Sequence, residues 1–262
     1  ACIMDHSCIN SRCNRKIHFI RIQNSIQYFT AGANLSTDMI HICKSRIAHM
    51  MIDAYCFLCM LKQIVSKRQT AAEVKKHESN VATHAETIFN SPRGVVLGNK
   101  DGDVAFVEFF DYNCGYCKRA MADMLDLLKT DPKLKVVLKE FPVLGEGSLE
   151  AAKVAVAVHM QDPSSKKYLD FHQRLLNGRG PVDKARAMAA AKDAGLDTAR
   201  IEKDFESPEV RATIAENFKL AEAMGMNGTP SYVIGKQVVI GAVGLDSLKE
   251  KIGLARCGKA TC

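Results

Sequence analysis

The sequence has no apolar run of the roughly 18 residues that a membrane-crossing helix needs. Its nearest approach, Ile47 to Leu61, is shorter and carries His49 and Asp53. It also lacks a basic stripe with interleaved aromatics. The net charge is +7, but aromatics make up only 6% and the charge is unevenly spread. Residues 1–90 hold 11 Lys/Arg and 6 Asp/Glu, a net of +5, whereas residues 91–262 hold 25 and 23, a net of +2. The larger part is nearly balanced, so no nucleic-acid partner is expected. No secretory-signal pattern is read in the opening residues either. Nothing in residues 1–35 combines a basic start, an apolar stretch and a small-residue cleavage site, and the sequence opens on Ala1 rather than Met. With 262 residues, 47% hydrophobic and 25% charged, the chain is not wholly disordered and can bury a core of full size.

Cysteine usage divides the chain. Cys2, Cys8, Cys13, Cys43, Cys56 and Cys59 precede a gap of more than fifty residues, followed by Cys114 and Cys117, then Cys257 and Cys262. Six of the eight histidines also fall before residue 90. Residues 1–62 show little sustained periodicity and receive no function. A mis-set start, a translated upstream region and a lineage-specific extension all stay open for them. The six early cysteines, including the C-x-x-C of Cys56 to Cys59, have no strand, acid or proline loop beside them and are given no role.

From Gln63 the pattern becomes regular. Residues 63–92 are expected to form a helical arm. Val74, Val81, Ala85 and Ile88 recur at spacings of 7, 4 and 3, a narrow apolar seam. Two readings stand for it: a solvated helix lying on the domain, and a self-association helix that makes a homo-oligomer through residues 63–90. Ser91-Pro92-Arg93-Gly94 then breaks the helix.

Val104 to Phe110 (VAFVEFF) reads as a central strand, Cys114 opens a helix carrying Met121, Met124, Leu125 and Leu128, and Lys133 to Phe141 reads as the next strand. Residues 149–226 read as helices punctuated at Pro163, Gly178-Arg179-Gly180-Pro181, Gly195 and Pro208. Ser231 to Ile234 and Val238 to Ile240 read as a hairpin, and Leu245 to Ile252 as a closing helix. The expected fold is therefore α/β, a thioredoxin plan with an inserted helical subdomain and an N-terminal helical arm. Residues 93–143 form its first half, 144–226 the insertion, 227–254 the second half and 255–262 a cysteine-containing tail.

Cys114-Gly115-Tyr116-Cys117 sits where a strand passes into a helix. Two cysteines in a first helical turn can close a small disulfide. The unpaired N–H groups and positive dipole end there stabilise a thiolate, which is both nucleophile and good leaving group. Cys114 is expected to attack and Cys117 to resolve. The competing reading, half of a zinc site, needs two further ligands, and none lies nearby in the regular part of the chain. No metal and no separate cofactor is expected beyond a redox-active Cys114–Cys117 disulfide. Glu108, inside an apolar strand six residues before Cys114, should have a raised pKa if buried and could exchange the proton that Cys117 needs; the plainer reading is an edge acid facing water. Thr229-Pro230 stands before the hairpin. A cis bond there would leave the Thr229 backbone free to pair with an extended peptide, making a substrate platform with Gly115 and Tyr116.

The stretch FVEFFDYNCGYCKRA, the KEFP after the next strand, and GTPSYVIG resemble the DsbA-like thioredoxin-fold thiol:disulfide oxidoreductases, with the nearest likeness to ScsC-like and DsbA/Com1-like proteins carrying a Cys-Gly-Tyr-Cys site. The resemblance covers residues 86–254. It matches Glu108 to the family's acid and Thr229-Pro230 to its cis-proline loop. It implies export to the periplasm and exchange with unfolded or misdisulfided proteins. It also implies a membrane redox partner of the DsbB or DsbD/ScsB type. An N-terminal oligomerising arm occurs in some ScsC-like proteins. Gly115-Tyr116 offers no imidazolium, unlike the Pro-His dipeptide of strongly oxidising members, so a less oxidising site is expected, an isomerase or reductase. The alternatives are a DsbA-type dithiol oxidase and a protein that sequesters copper(I), with Met121 and Met124 as further soft ligands.

Cys257 and Cys262 are expected to form a structural disulfide, free tail thiols being the other reading. Asn34-Leu35-Ser36 and Asn227-Gly228-Thr229 match glycosylation sequons, which the implied bacterial origin makes incidental. His159 and His172 lie among apolar helical residues and read as packing residues.

Overall fold

The computed structural model describes residues 60–69, 72–162 and 164–262. Cys2, Cys8, Cys13, Cys43, Cys56, Cys59, the sequon at Asn34 and Pro163 lie outside the described residues. No helix among the described residues is long and apolar enough to cross a membrane.

Five strands form one mixed sheet in the order β1-β3-β2-β4-β5. They are β1 (Val95–Gly98), β2 (Val104–Phe110), β3 (Leu134–Glu140), β4 (Ser231–Ile234) and β5 (Gln237–Ile240). β2 and β3 run parallel, and the other pairs run antiparallel. The continuous apolar run of β2 has its cause here, since helices cover both faces of the sheet at its centre. The two-residue period places Phe106, Glu108 and Phe110 on one face and Val107 and Phe109 on the other. Phe106 and Phe110 share a core with Cys117, Met121 and Met124 of α2 (Gly115–Thr130) and with Leu248 and Ile252 of α8 (Leu245–Cys257). Val107 and Phe109 pack against Val81, Ile88, Leu220 and Met224. Each such fully buried side chain contributes about 1.5–3 kcal/mol.

Between β3 and β4 lie five helices: α3 (Glu146–Gln161), α4 (Lys166–Asn177), α5 (Lys184–Asp193), α6 (Thr198–Asp204) and α7 (Pro208–Ala223). α3 is their axis. Its Ala151, Ala152, Val154, Ala155, Ala157 and Val158 are all buried, and the small side chains let neighbouring helices approach on every side. Asp183, Asp197 and Ser207 accept backbone N–H bonds at the starts of α5, α6 and α7, and Pro208 takes the first turn of α7, where its missing N–H costs nothing.

Four differences from the sequence reading are small and local. β1 is absent from that reading. Four residues hidden between a proline turn and Asn99-Lys100 carry too little alternation to stand out, and pairing with β3 makes the strand. The first helix of the insertion begins at Glu146 rather than Leu149, because Gly145 at φ 107° turns the chain into α3. β5 starts one residue before Val238, at Gln237. α8 continues past Ile252 to Cys257, so the tail proper starts at Gly258, left-handed at φ 75°. That tail folds back on α8: a Cβ at Gly253 would meet the Ala260 carbonyl oxygen at 2.5 Å.

Residues 60–69 are helical, with Met60, Leu61, Ile64 and Val65 exposed. Residues 72–83 are helical again and lead into α1 (Ala85–Phe89). Of the seam, Val81 and Ile88 are buried in the domain's own core while Val74 is exposed. From Val81 onward the apolar seam is thus taken up by the domain surface.

Candidate active site

β2 ends at Phe110, and three residues carry the chain into α2. Cys114 is the N-cap of α2, with extended backbone at φ −76° and ψ 115°. Its sulfur therefore faces the helix N-terminus, where N–H groups have no intrahelical partner. The Cys117 amide donates to Cys114 Sγ at 3.4 Å. Both thiols are free and buried.

The two sulfurs are driven apart in acidity. Cys114 falls to about 5. The Cys117 thiol supports its thiolate first, followed by the Thr229 hydroxyl and the Cys117 and Tyr116 amides, against the opposing effect of burial. Cys117 moves strongly the other way, because its proton is held on Cys114 and burial and the Glu108 charge disfavour a second anion. One acidic nucleophile and one deeper, protonated partner result.

Thr229-Pro230 is cis. The Thr229 carbonyl accepts from the Cys114 thiol at 3.2 Å, so the proline loop lies against the sulfur. Pro230 O accepts from the Gly241 amide at 2.8 Å, which ties the loop to the chain after β5. Tyr116 projects into solvent, with the Arg119 guanidinium 4.4 Å from its ring centre. Val143 and Leu144 are exposed apolar residues in the loop after β3.

Glu108 is not an edge acid. It sits mid-strand between Leu138 of β3 and Tyr232 of β4, only 4% exposed, on the face that α2 covers. Burial first, then the charges of Asp123 and Cys114, push its carboxyl up to about 8. The Glu108 charge is one of the causes that raise the Cys117 thiol. Met121 and Met124, considered as soft ligands, are packed in the core at 2% and 1% exposure. No group of three or more His, Cys, Asp or Glu that could hold a metal ion occurs among the described residues. Cys257 and Cys262 are joined as a disulfide with Cα atoms 6.2 Å apart.

The sequence reading missed the support behind this site. Asp111 and Asn113, which that reading gave no role, have buried and half-buried side chains bonded to distant backbone. The D-x-N pattern beside a C-x-x-C is the available signal, since Asp and Asn at such exits bond local backbone. Deeper lies a buried polar cluster around Glu140. Tyr168 OH donates to Glu140 Oε1 at 2.8 Å, and Tyr112 OH lies 3.1 Å from His172 Nδ1. Burial holds the Glu140 carboxyl well above the usual range and lowers His172 to about 3, so the imidazole is neutral; its Nδ1 shares a hydrogen bond with the Tyr112 hydroxyl, which also lies 3.3 Å from Glu140 Oε1. His172 is therefore a satisfied core histidine.

The family model for a DSBA-like thioredoxin domain matches residues 105–253. The chain belongs to that family. A thioredoxin-like oxidoreductase from Silicibacter pomeroyi is 43% identical with a TM-score of 0.61, the match covering 65% of this chain and 96% of that one. The catalytic domain of Proteus mirabilis ScsC is 30% identical with a TM-score of 0.63, covering 68% of this chain and 98% of that one. The thiol:disulfide interchange protein DsbA of Bordetella pertussis is 27% identical over 138 residues, 51% of this chain and 64% of that protein's length. The chain thus matches a little under two thirds of that curated relative, and the thioredoxin-like fold with its helical insertion is shared.

Proposed function

We propose that this chain catalyses thiol–disulfide exchange on exported proteins in the periplasm, acting chiefly as a disulfide isomerase or reductase. The observation that carries the reading is Cys114 at the N-cap of α2, its sulfur accepting from the Cys117 amide at 3.4 Å and lying against the cis Thr229-Pro230 loop, an arrangement that lowers its thiol to about 5 while Cys117 stays protonated. At pH 7 Cys114 is a thiolate and needs no base. It attacks one sulfur of a substrate disulfide, forming a Cys114–substrate disulfide and expelling the other substrate sulfur as thiolate. In isomerisation that thiolate, or another in the substrate, attacks the mixed disulfide and returns Cys114. In reduction Cys117 gives its proton to Glu108, attacks Cys114 Sγ and releases the second substrate thiolate. Two electrons pass to the substrate, and Cys114–Cys117 is left oxidised. Glu108, with a carboxyl near 8, is neutral or anionic close to working pH and suits that transfer. The Thr229 backbone at the cis bond and the exposed ring of Tyr116 supply the surface on which an extended substrate lies.

The direction rests on the absence of an imidazolium between the cysteines. The thiolate is supported by neutral hydrogen-bond donors instead. The resulting value of about 5 falls between about 3.5 for DsbA and about 7 for thioredoxin. An intermediate thiolate both attacks and leaves readily, as shuffling requires. Re-reduction then falls to a membrane partner of the DsbD/ScsB type. The dithiol oxidase reading, served by a DsbB-type partner, is favoured by the same lowered value if the oxidised form is the resident one.

Reactivation of scrambled ribonuclease decides between them. Recovery that disappears in Cys114→Ala supports the isomerase. No recovery, with rapid oxidation of reduced ribonuclease, supports the oxidase instead.

A further inference from the structure

We infer that Asp111 and Asn113 are positioning residues that fasten the backbone carrying Cys114 to the helical insertion, so that the insertion sets the geometry of the nucleophile. This rests on the thiol-exchange reading of Cys114. Asp111 is 1% exposed, and its carboxylate accepts four bonds. Oδ1 takes the Asn113 amide at 2.7 Å and the Ser148 hydroxyl at 2.8 Å; Oδ2 takes the Val143 and Leu144 amides at 2.8 and 3.0 Å. A buried carboxylate with both oxygens doubly hydrogen-bonded is held rigidly in place.

Asn113 acts as a short piece of strand. Its Oδ1 accepts from the Val182 amide at 2.7 Å, and its Nδ2 donates to the Val182 carbonyl at 2.8 Å and to Ser148 Oγ at 3.0 Å. Ser148 is the shared node, accepting from Asn113 and donating to Asp111, which uses its single proton once. Three parts of the insertion and its lead-in therefore converge on two side chains: the loop at Val143-Leu144, the first turn of α3, and the residue before the α5 cap. The approach is close. A Cβ on Gly147 would stand 2.9 Å from the Val182 carbonyl oxygen. Val182 is itself held in place, since Asp183 caps α5 by accepting from the Arg186 amide at 2.9 Å.

The fastened segment reaches both sulfurs. The Cys114 amide donates to the Asp111 carbonyl at 3.1 Å. A backbone hydrogen bond from Asp111 also acts on Cys117. A second strap, from Lys118 Nζ to the Gly178 carbonyl at 3.1 Å, joins the first turn of α2 to the same insertion. Loosening the clasp should let Cys114 drift from the donors that stabilise its thiolate, and small displacements of a reacting group cost large factors in rate.

The test measures alkylation of Cys114 against pH, read on its own peptide by mass spectrometry, and its rate of reaction with oxidised glutathione. Asn113→Ala is expected to raise the alkylation midpoint by about one pH unit. It should also slow the glutathione reaction by about tenfold. Ser148→Ala should do the same to a smaller degree. Asn80→Ala is the control for mere destabilisation, because it removes a comparable bond to the Ala223 carbonyl (2.6 Å) on the opposite face. It should lower the melting temperature and leave Cys114 unchanged. A wild-type midpoint and rate in Asn113→Ala overturns the coupling, and so does an equal shift in Asn80→Ala. If Asn113→Ala does not fold, an unchanged Ser148→Ala overturns it. Alkylation is a property of the thiol alone. Failure of the wild-type protein to exchange disulfides with ribonuclease therefore sinks the functional reading without touching this one.

Discussion

Among the described residues, two cysteine pairs stand at opposite kinds of helix end. Cys114 and Cys117 occupy the N-terminus of α2, are buried, and are free thiols. Cys257 is the last residue of α8, is exposed, and is bonded to Cys262. The helix dipole treats the two oppositely. At an N-terminus orphan amides stabilise a thiolate; at a C-terminus orphan carbonyls oppose one. A thiolate-favouring end makes a disulfide easy to open, whereas the other end leaves a bond no comparable reason to break. The same chemical group thus serves as a reagent in one place and as a clip in the other, and the backbone around it decides which.

Removing the attacking sulfur should break the comparison most strongly. Cys114→Ser should lower disulfide exchange by on the order of 10³-fold or more, measured with scrambled ribonuclease. Cys117→Ala should sharpen it. With the resolving thiol gone, mixed disulfides with substrate should accumulate on a non-reducing gel. The Cys114 midpoint should also rise by about one unit, because the principal support of its thiolate is lost.

Glu108→Gln separates catalysis from stability. The second, resolving step should slow about tenfold, with a flatter pH profile near pH 8. Stability should move in the opposite direction. The folded-state value of about 8 exceeds the ordinary 4.5, so the native protein binds a proton that the unfolded chain releases, and stability declines as pH rises from about 4.5 to about 8. Glu108→Gln should therefore melt higher than wild type at pH 7, by up to about 3 kcal/mol, with the difference gone below pH 4. Equal melting at pH 7 would place the acid in water. The smallest effect on chemistry belongs to the tail. The double variant Cys257→Ala, Cys262→Ala should keep exchange within about twofold of wild type and lose about 2 kcal/mol of stability on thermal melting.

Much of this was legible in sequence because it rests on local contrast. VAFVEFF, a C-x-x-C at its exit and a β-branched hairpin after Thr229-Pro230 each announce an element, and Glu108 stands out as the lone acid in β2. The insertion was legible as a helical block, but not as five helices around the Ala/Val axis of α3. β1 was too short to show a period. The clasp was beyond reach for a different reason. Asn113 meets Val182 across 69 residues of chain, and its side chain pairs with that peptide group as a strand would. Such contacts become visible only when the fold brings them together.

The most direct test of the account is the pH dependence of Cys114 alkylation in the reduced wild-type protein, followed on its own peptide. The account predicts a midpoint of about 5, with reactivity falling tenfold per pH unit below it and Cys117 silent at neutral pH. A midpoint near the ordinary thiol value of about 8.5, or equal labelling of Cys114 and Cys117 at pH 7, would contradict it.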